Sequence, residues 1–339
     1  MSEVLVIGTP IWSYTESVSR AFSQNGIKSE FKIYKIPDKY LKTIPIISKL
    51  YYYWYYNIYP KSYYKYCLEH APDGGLLVLF GINYLSNKQL LEIKTIKKVK
   101  ILIWFIDSIY TFPKFYKNIE IADYVLCYNK SEADFLKQSG KRAVFSPMAY
   151  DQRYYFPIEN SEKEYDLYFI GTLSKRLDFF EELLKRIAPL GLRIRIDGPV
   201  SWLKRFKLRK KYPLLSGCIS GIGNNHKQIN ELYNKSRLCL SIQPDQADTG
   251  FSTRVYEICG AGALQLTNGQ KELLDTLFKI DTELLHFSSM EELINQIRYV
   301  TTKKKSPDLQ EIADRGFRRA LKDHTFNERV AQLLKFINN

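Results

Sequence analysis

Residues 249–263 read TGFSTRVYEICGAGA, and the interpretation of the whole chain starts from them. Apolar runs at 238–242 and 263–266 flank this stretch. The pattern predicts a strand, a polar loop, a short helix that begins at Gly250 and ends at Gly260, and a second strand. The unpaired N–H groups of a helix's first turn, together with the helix dipole, favour a bound anion. The stretch therefore predicts an anion site between two strands of an α/β sheet.

Two opposite charges follow the predicted turn. Arg254 lies at the start of the helix and Glu257 comes three residues later, so both side chains lie on one helix face. This arrangement suits a nucleotide, with its phosphates on the N–H groups and Arg254 and its ribose hydroxyls on Glu257. In the alternative interpretation the segment is ordinary α/β packing, and Arg254 and Glu257 form a surface ion pair.

The same stretch resembles a known family. Retaining glycosyltransferases of the GT-B fold carry E-G-F-G-x-x-x-x-E followed by A-x-G-x-P. Here Gly250, Phe251 and Glu257 stand in register within T-G-F-S-T-R-V-Y-E. The pattern R-x-x-E-x-x-x-x-G-A is similar to the donor domain of the bacterial spore-maturation-protein-B-like glycosyltransferases, a family 1/4-like type. The first Glu of the family motif, which is thought to hold sugar hydroxyls, is Thr249 in this chain.

Further matches to that group are spread along the chain, at 104–108 (WFIDS), 147–151 (PMAYD) and 156–157 (FP). Strand and helix signals alternate through both halves, which predicts an α/β protein with two doubly wound Rossmann-like domains. The resemblance implies that they face a central cleft, as in the GT-B fold. We expect an N-terminal acceptor-binding domain at 1–150 and a C-terminal nucleotide-sugar-binding domain at 151–325. A C-terminal helix at 326–339 is expected to pack back toward the N-terminal domain.

The resemblance also implies a set of donor-binding residues. They are Gly171, Thr172, Lys175, Arg176, Gly250, Phe251, Ser252, Thr253 and Glu257. Arg254 is expected to be catalytic, because a cation there would stabilise the diphosphate that leaves the sugar. For Lys175 and Arg176 the alternative is a solvated first turn of a helix. The chain has no Asp-x-Asp motif, so neither a metal nor a cofactor is expected.

Polar groups and a glycine stand where predicted strands of the N-terminal half end. Gly8, Asp107 and Asn129 each follow an apolar run, and Thr9 follows Gly8. The carboxyl ends of parallel strands are where α/β sheets bind ligands, so Gly8, Thr9 and Asn129 are expected on the acceptor side. Asp107 is expected to be catalytic, as a base or as a group that orients the acceptor. The alternative is that Asp107 only caps the next short helix.

The composition favours an anionic partner. The formal net charge is +14, and no nucleic-acid-binding signature accompanies it. Nine tyrosines between 51 and 66, with lysines along 40–68, predict a surface that touches an anionic membrane. The alternative is that these rings belong to the core. Five scattered cysteines indicate free thiols, so we expect a cytoplasmic protein that is peripheral on the inner face of the membrane.

The resemblance implies a glycosyltransferase, and the lack of an Asp-x-Asp motif indicates a metal-independent one. It would move a sugar from a nucleotide-sugar, such as a UDP-sugar, to a glycan, lipid-linked or protein acceptor, for instance in a cell-envelope polysaccharide. The family motif indicates retention, and Asp107 as a base leaves inversion open. One alternative is a sugar-nucleotide epimerase of the same fold. Another is a catalytically degenerate GT-B binding protein, which Thr249 in place of Glu keeps open.

Overall fold

The computed structural model of this chain describes residues 3–8, 13–33, 59–81, 85–111, 113–173, 175–198, 208–220, 225–243, 249–303 and 306–339. The chain divides into two compact units. Unit 1 comprises Met1–Met148, Gln246–Gly250 and Phe326–Asn339. Unit 2 comprises Ala149–Asp245 and Phe251–Thr325.

Unit 1 is built on a six-stranded parallel sheet with the order β2-β1-β3-β4-β5-β6. Its strands are β1 (Glu3–Gly8), β2 (Lys28–Ile33), β3 (Leu76–Phe80), β4 (Lys100–Trp104), β5 (Tyr124–Cys127) and β6 (Ala143–Phe145). Its first helices are α1 (Tyr14–Gln24), α2 (Tyr59–His70), α3 (Asn87–Lys97), α4 (Pro113–Tyr116) and α5 (Lys130–Gln138), and a 3₁₀ turn spans Lys117–Glu120. The central strands are continuous apolar runs because helices cover both faces of a parallel sheet.

Unit 2 has a five-stranded parallel sheet with the order β11-β10-β9-β7-β8. Its strands are β7 (Tyr165–Ile170), β8 (Ile194–Asp197), β9 (Ser236–Ser241), β10 (Gln265–Thr267) and β11 (Leu285–His286). Its helices are α6 (Leu177–Ile187), α7 (Pro213–Cys218), α8 (His226–Asn234), α9 (Thr253–Gly260), α10 (Lys271–Leu277), α11 (Met290–Thr302) and α12 (Pro307–Asp323), with a 3₁₀ turn at Ala188–Leu190. The apolar stripe of α6 packs on the sheet through Phe180, Leu183 and Ile187, each contributing roughly 1.5–3 kcal/mol by burial.

The last helix, α13 (Phe326–Asn338), belongs to unit 1. Its Phe326 ring lies 5.6 Å from the ring of Tyr14 on α1. At its other end, Phe336 meets Tyr124 of β5 edge to face at 6.0 Å. The buried Arg329 donates from Nε to the carbonyl of Pro147 at 2.9 Å. Unit 1 is therefore made from pieces of chain that are far apart in sequence.

The two sheets share one strand order. In each, the second strand in sequence lies outside the first, and the third lies on the first strand's other side. This is a doubly wound arrangement, whose switch point lies between β1 and β3 in unit 1 and between β7 and β9 in unit 2. The predicted fold class, with two Rossmann-like domains, is confirmed.

The aromatic segment at 40–68 falls mostly outside the described residues, which resume at Tyr59 with α2. Within α2, Lys61 and Lys65 are exposed and Tyr63 is buried, so this short part has both a solvent face and a core face. Among the helices that the structure describes, none combines the length and apolar character needed to span a bilayer.

Candidate functional site

Arg176 joins the two strands at the switch point of unit 2. It is the N-cap residue of α6, and its Nη1 donates to the carbonyl of Thr172 at 2.7 Å. Its Nη2 donates to the carbonyl of Ile242, just beyond β9, at 3.1 Å. The guanidinium therefore lies across the carboxyl ends of β7 and β9, where doubly wound sheets bind ligands. Of the neighbouring donor candidates, Thr172 and Lys175 are exposed and Gly171 is half-buried.

Gln243 organises the same edge through its side chain. Its Nε2 donates to Ser241 Oγ at 3.2 Å and to Thr267 Oγ1 at 3.0 Å, which ties β9 to β10. Its Oε1 accepts from the backbone N–H of Ser252 at 2.8 Å. The sequence analysis did not single out Gln243, because its role depends on the register of two strands. The only local signal was an amide directly after an apolar strand.

The helix within residues 249–263 starts later than the sequence predicted. Its first residue is Thr253, with Ser252 as N-cap in extended conformation, so Gly250 does not open it. The prediction was wrong because Gly250 and Phe251 are not helical and the chain enters the helix only after Ser252. Ser252 Oγ is buried and has no hydrogen-bond partner in the part of the chain that the structure describes. This hydroxyl stands at the positive end of α9.

Arg254 and Glu257 contact each other directly. Arg254 Nη1 donates to Glu257 Oε2 in a short ion pair, with 14% of the arginine side chain exposed and none of the glutamate. The pair is therefore buried, whereas the alternative interpretation placed it at the surface. Burial raises the pKa of the adjacent Tyr233, and the Arg254 charge opposes this rise, so the phenol stays neutral. The expected ribose contact of Glu257 would have to reach a carboxylate that is fully buried in this structure.

Phe251 and Thr253 differ in what they can offer a ligand. The Phe251 ring is buried and packs at Gly269, where an added Cβ would lie 2.7 Å from Phe251 Cε1. Gly269 also has a φ of 121°, so both its space and its backbone need glycine. Thr253 is half-buried in the first turn of α9. Phe251 therefore fixes the turn from the core side, and its side chain is not available to a donor.

Thr249 and Gly250 belong to unit 1. Ser131 at the start of α5 donates its N–H to Thr249 Oγ1 at 3.1 Å, and the two hydroxyls are 2.8 Å apart. An added Cβ on Gly250 would lie 2.6 Å from the Tyr128 ring and 2.8 Å from Asn129 Oδ1. In this structure, close packing against Tyr128 and Asn129 explains the glycine at 250.

Asp107 and Asn129 are linked through a residue that the sequence analysis missed, Glu132 of α5. Asp107 Oδ1 accepts from the N–H of Ser108 at 2.9 Å, and Ser108 Oγ donates to Glu132 Oε1 at 2.5 Å. Asn129 Nδ2 donates to the same oxygen at 2.9 Å, and Ile109 N–H donates to Glu132 Oε2 at 3.1 Å. The 7% exposure of Glu132 makes it a buried carboxylate held by three donors.

Burial raises the pKa of Asp107, and the nearby Glu132 charge raises it further, while hydrogen bonds from Ser108 and Thr111 act in the other direction. The helix after Asp107 is α4, which begins only at Pro113, so Asp107 is not a helix N-cap. It instead holds a turn at the carboxyl edge of unit 1. A half-buried carboxyl with a raised pKa is suited to accept a proton.

Gly8 ends β1 at the switch point of unit 1, and an added Cβ there would lie 3.0 Å from the carbonyl oxygen of Phe80. Thr9 lies outside the described residues. In the described part of the chain, no three His, Cys, Asp or Glu side chains are grouped as a metal ion would need.

Comparisons with known proteins agree with this fold. Residues 175–335 match the family model described as "Glycosyl transferase-like". A search of curated proteins finds no significant match. Sucrose-phosphate synthase from Thermosynechococcus elongatus aligns over 100% of this chain and 98% of its own, with a TM-score of 0.68 at 12% identity. Anabaena HepE, solved in complex with UDP-glucose, aligns over 99% and 100% with a TM-score of 0.64 at 12% identity.

An epimerase is also similar in fold. The structure described as a putative UDP-N-acetylglucosamine 2-epimerase from Listeria monocytogenes aligns over 94% of each chain, with a TM-score of 0.57 at 14% identity. At such identities the likeness concerns the fold, which all three proteins share with both units of this chain. The chain is therefore a GT-B-fold protein, and its residues 175–335 match the glycosyl transferase-like family model.

Proposed function

We propose that the chain is a glycosyltransferase that takes a sugar from a nucleotide-sugar bound to unit 2 and transfers it to an acceptor bound to unit 1. The observation that carries this proposal is the set of anion-binding groups along one sheet edge of unit 2. Arg176 spans the switch point, Arg254 stands in the first turn of α9, and the buried Ser252 hydroxyl has no described partner. A diphosphate offers acceptor oxygens to both guanidinium groups and to the Ser252 hydroxyl.

The donor we propose is a UDP-sugar. HepE, which shares the fold, was solved with UDP and with UDP-glucose, and this supports the choice of nucleotide. In the proposed reaction the bond between the sugar and the diphosphate breaks, and negative charge grows on the leaving phosphate. Arg254, Arg176 and the exposed Lys175 would stabilise that charge without a divalent metal. We also propose that the reaction retains the configuration of the sugar.

Asp107 is the proposed catalytic group of unit 1. Its raised pKa and its position at the carboxyl edge support a role in accepting or orienting the acceptor hydroxyl. Gly8, Thr9 and Asn129 are proposed to border the acceptor. The acceptor is a glycan, a lipid-linked sugar or a protein. A cytoplasmic location, with contact to an anionic membrane through 40–68, would favour the lipid-linked class.

Calorimetric titration with UDP, GDP, ADP and dTDP, followed by a turnover assay with each matching sugar donor, tests the proposal. We expect UDP to bind most tightly and its sugar donor to be hydrolysed slowly without acceptor. Activity should survive EDTA. Failure of all four nucleotides to bind would refute the donor site, and loss of activity on chelation would refute the metal-free mechanism.

The epimerase is the second candidate, because an epimerase shares the fold over nearly the whole chain. An epimerase needs no acceptor and converts one nucleotide-sugar into another. Incubating each donor without acceptor and separating the nucleotide-sugars distinguishes the two. An epimeric product would favour the epimerase, whereas free sugar and UDP would favour a transferase. Binding of UDP with neither reaction would support the degenerate binding protein.

A further inference from the structure

A cavity lies at the opposite edge of the unit 2 sheet. It has a volume of about 300 Å³ and is lined by Lys163, Arg237, Leu264, Val300 and Leu309, among other residues. Lys163 precedes β7, Arg237 is the second residue of β9 and Leu264 precedes β10. The cavity therefore adjoins the amino ends of the strands, roughly 15 Å or more along the strands from the carboxyl edge where Arg176 and Arg254 lie.

Positive charge at this edge exceeds negative charge. Asp166 is buried and forms ion pairs with Arg237 at 3.3 Å and with Arg193 at 3.6 Å, so one carboxylate faces two guanidinium groups. Lys163 Nζ donates to the carbonyl of Asn234 at 2.6 Å, and in the described part of the chain it pairs with no carboxylate. Arg193 is exposed and does not line the cavity, so the two cations of the cavity, Lys163 and Arg237, face one carboxylate, which leaves an excess of one positive charge. Buried or half-buried charges in proteins are normally paired, so this excess is unusual.

The neighbouring ion pair does not supply a negative charge for Lys163. Glu164 pairs with Lys235 at 2.7 Å, and these two charges cancel. Burial, together with the charge of Arg237, lowers the pKa of Lys163, as expected for an ammonium without an anion beside it.

Apolar and uncharged polar side chains make up the rest of the lining. Leu264, Val300, Leu309 and Ala313 are each less than 9% exposed and form its apolar floor. Ser306, the N-cap residue of α12, and Gln310 in its first turn are polar. The Ser306 side chain does not cap that helix, and its hydroxyl lies 3.5 Å from a carboxylate oxygen of Asp308. A ligand that fits has a compact apolar group and an anionic head.

We propose that this cavity binds a small organic monophosphate, with its phosphate on Lys163 and Arg237 and its apolar group on Leu264, Val300 and Leu309. A phosphate monoester carries about −1.5 to −2 charges at neutral pH and three strong acceptor oxygens, so it can bind Lys163 and Arg237 together more fully than a carboxylate can. A volume of 300 Å³ lies at the lower end of the range for ligand sites, which limits the apolar group to about the size of a phenyl ring. The site is separate from the proposed donor site.

Phenyl phosphate is the probe, titrated by calorimetry into the full chain with and without UDP. We expect phenyl phosphate to bind more tightly than inorganic phosphate, which lacks the apolar group, and more tightly than benzoate, which carries one charge. Lys163→Gln should weaken binding by about tenfold or more, because a charge-assisted contact is lost. Lys235→Gln, at the same edge but outside the cavity, is the matched control and should change the affinity less than about twofold.

A second variant tests the apolar floor. Ala313→Leu fills part of the cavity, so phenyl phosphate should bind less tightly while inorganic phosphate is retained; thermal unfolding checks that the variant is folded. No binding of phenyl phosphate at roughly 10 mM would overturn the proposal. Equal losses in Lys163→Gln and Lys235→Gln, or competition between phenyl phosphate and UDP, would overturn it as well. If UDP itself does not bind, the phenyl phosphate affinities of the two lysine variants still test the proposed cavity site.

Discussion

The two sheets have the same strand order, but the side chains at their carboxyl edges carry opposite charges. In unit 2 the edge carries Arg176 at the switch point and Arg254 at the start of α9. In unit 1 it carries Asp107 and the buried Glu132, joined through Ser108. The topology determines where a ligand can bind, and the side chains determine which charge it must have. A basic edge suits a diphosphate, and an acidic edge suits hydroxyls that must lose a proton.

The largest effect is expected from removing the unit 2 cation nearest the helix start. Arg254→Ala should lower kcat by about 100- to 1,000-fold and change the donor KM much less, because charge on the leaving diphosphate grows in the transition state. Steady-state kinetics with a UDP-sugar measures both. Arg186→Ala removes an exposed arginine of α6 that pairs with Glu182 and is the matched control. If Arg254→Ala has a kcat near that of the wild type, Arg254 does not stabilise the leaving diphosphate, and the proposed contrast between the two edges is wrong.

Removing the Asp107 carboxylate of unit 1 should reduce sugar transfer without weakening donor binding. Asp107→Asn is expected to reduce transfer by about 100-fold or more, since general-base catalysis contributes that much. Its affinity for UDP should stay unchanged by calorimetry. Asp134→Asn alters an exposed carboxylate of α5 and should leave both quantities intact. If Asp107→Asn weakens UDP binding as much as transfer, the division of roles between the units is wrong.

Glu257 belongs to the basic edge but is itself acidic, and its variant tests what it contacts. We expect Glu257→Ala to weaken nucleotide binding by about 1–3 kcal/mol, as for the loss of charge-assisted hydrogen bonds. UDP and its 2′,3′-dideoxy analogue should be titrated into wild type and variant. A ribose contact predicts that the variant no longer distinguishes the two nucleotides. If it distinguishes them as well as the wild type does, Glu257 acts by holding Arg254. Thermal unfolding controls for stability, because Glu257 is buried.

A smaller effect concerns pH. Asp107 can act as a base only when ionised, so activity should rise as pH increases through its pKa, which lies above the ordinary aspartate range because of burial. Glu132→Gln removes the neighbouring charge and should move this acid limb of the pH–rate profile to lower pH. The shift is expected to be modest, since burial is the larger cause. A limb that stays in place would mean that Glu132 does not tune Asp107.

The raised pKa of Asp107 also predicts how the stability of the fold changes with pH. The folded state binds this proton more tightly than the unfolded state, so the contribution of Asp107 to stability is greatest at low pH. It falls as pH rises through the folded-state pKa. Asp107→Asn should therefore flatten the dependence of unfolding free energy on pH in that window, which chemical denaturation at several pH values measures.

The smallest effect is expected at the membrane. If unit 1 meets an anionic bilayer through 40–68, the exposed Lys61 and Lys65 should each contribute about 1 kcal/mol at low salt. Co-sedimentation with anionic vesicles compares a double Lys-to-Gln variant at 61 and 65 with a double variant at 137 and 141, which changes net charge equally. Equal binding of the two variants, or no binding by the wild type, would count against a membrane surface in unit 1.

Elements with strong periodicity were predictable from the sequence, and the side chains that link them were not. The alternating strand and helix signals predicted two α/β domains, because burial on both faces of a strand or on one stripe of a helix leaves a clear pattern. Glu132 and Gln243 lacked such a signal. Each is an ordinary polar residue until the fold brings a hydrogen-bond partner to it from a segment more than twenty residues away. The burial of Glu257 was hidden for the same reason.

Unit 1 cannot be completed until a ribosome has synthesised residues 149–325, because α13 follows them in the chain. At typical rates of translation this interval lasts on the order of ten to forty seconds. Throughout it, Tyr14, Phe80 and Tyr124 lack the aromatic partners that Phe326 and Phe336 provide. A nascent first half with these rings uncovered is a target for chaperones and for aggregation. Cutting a gene for this protein after codon 148 would make that transient state permanent.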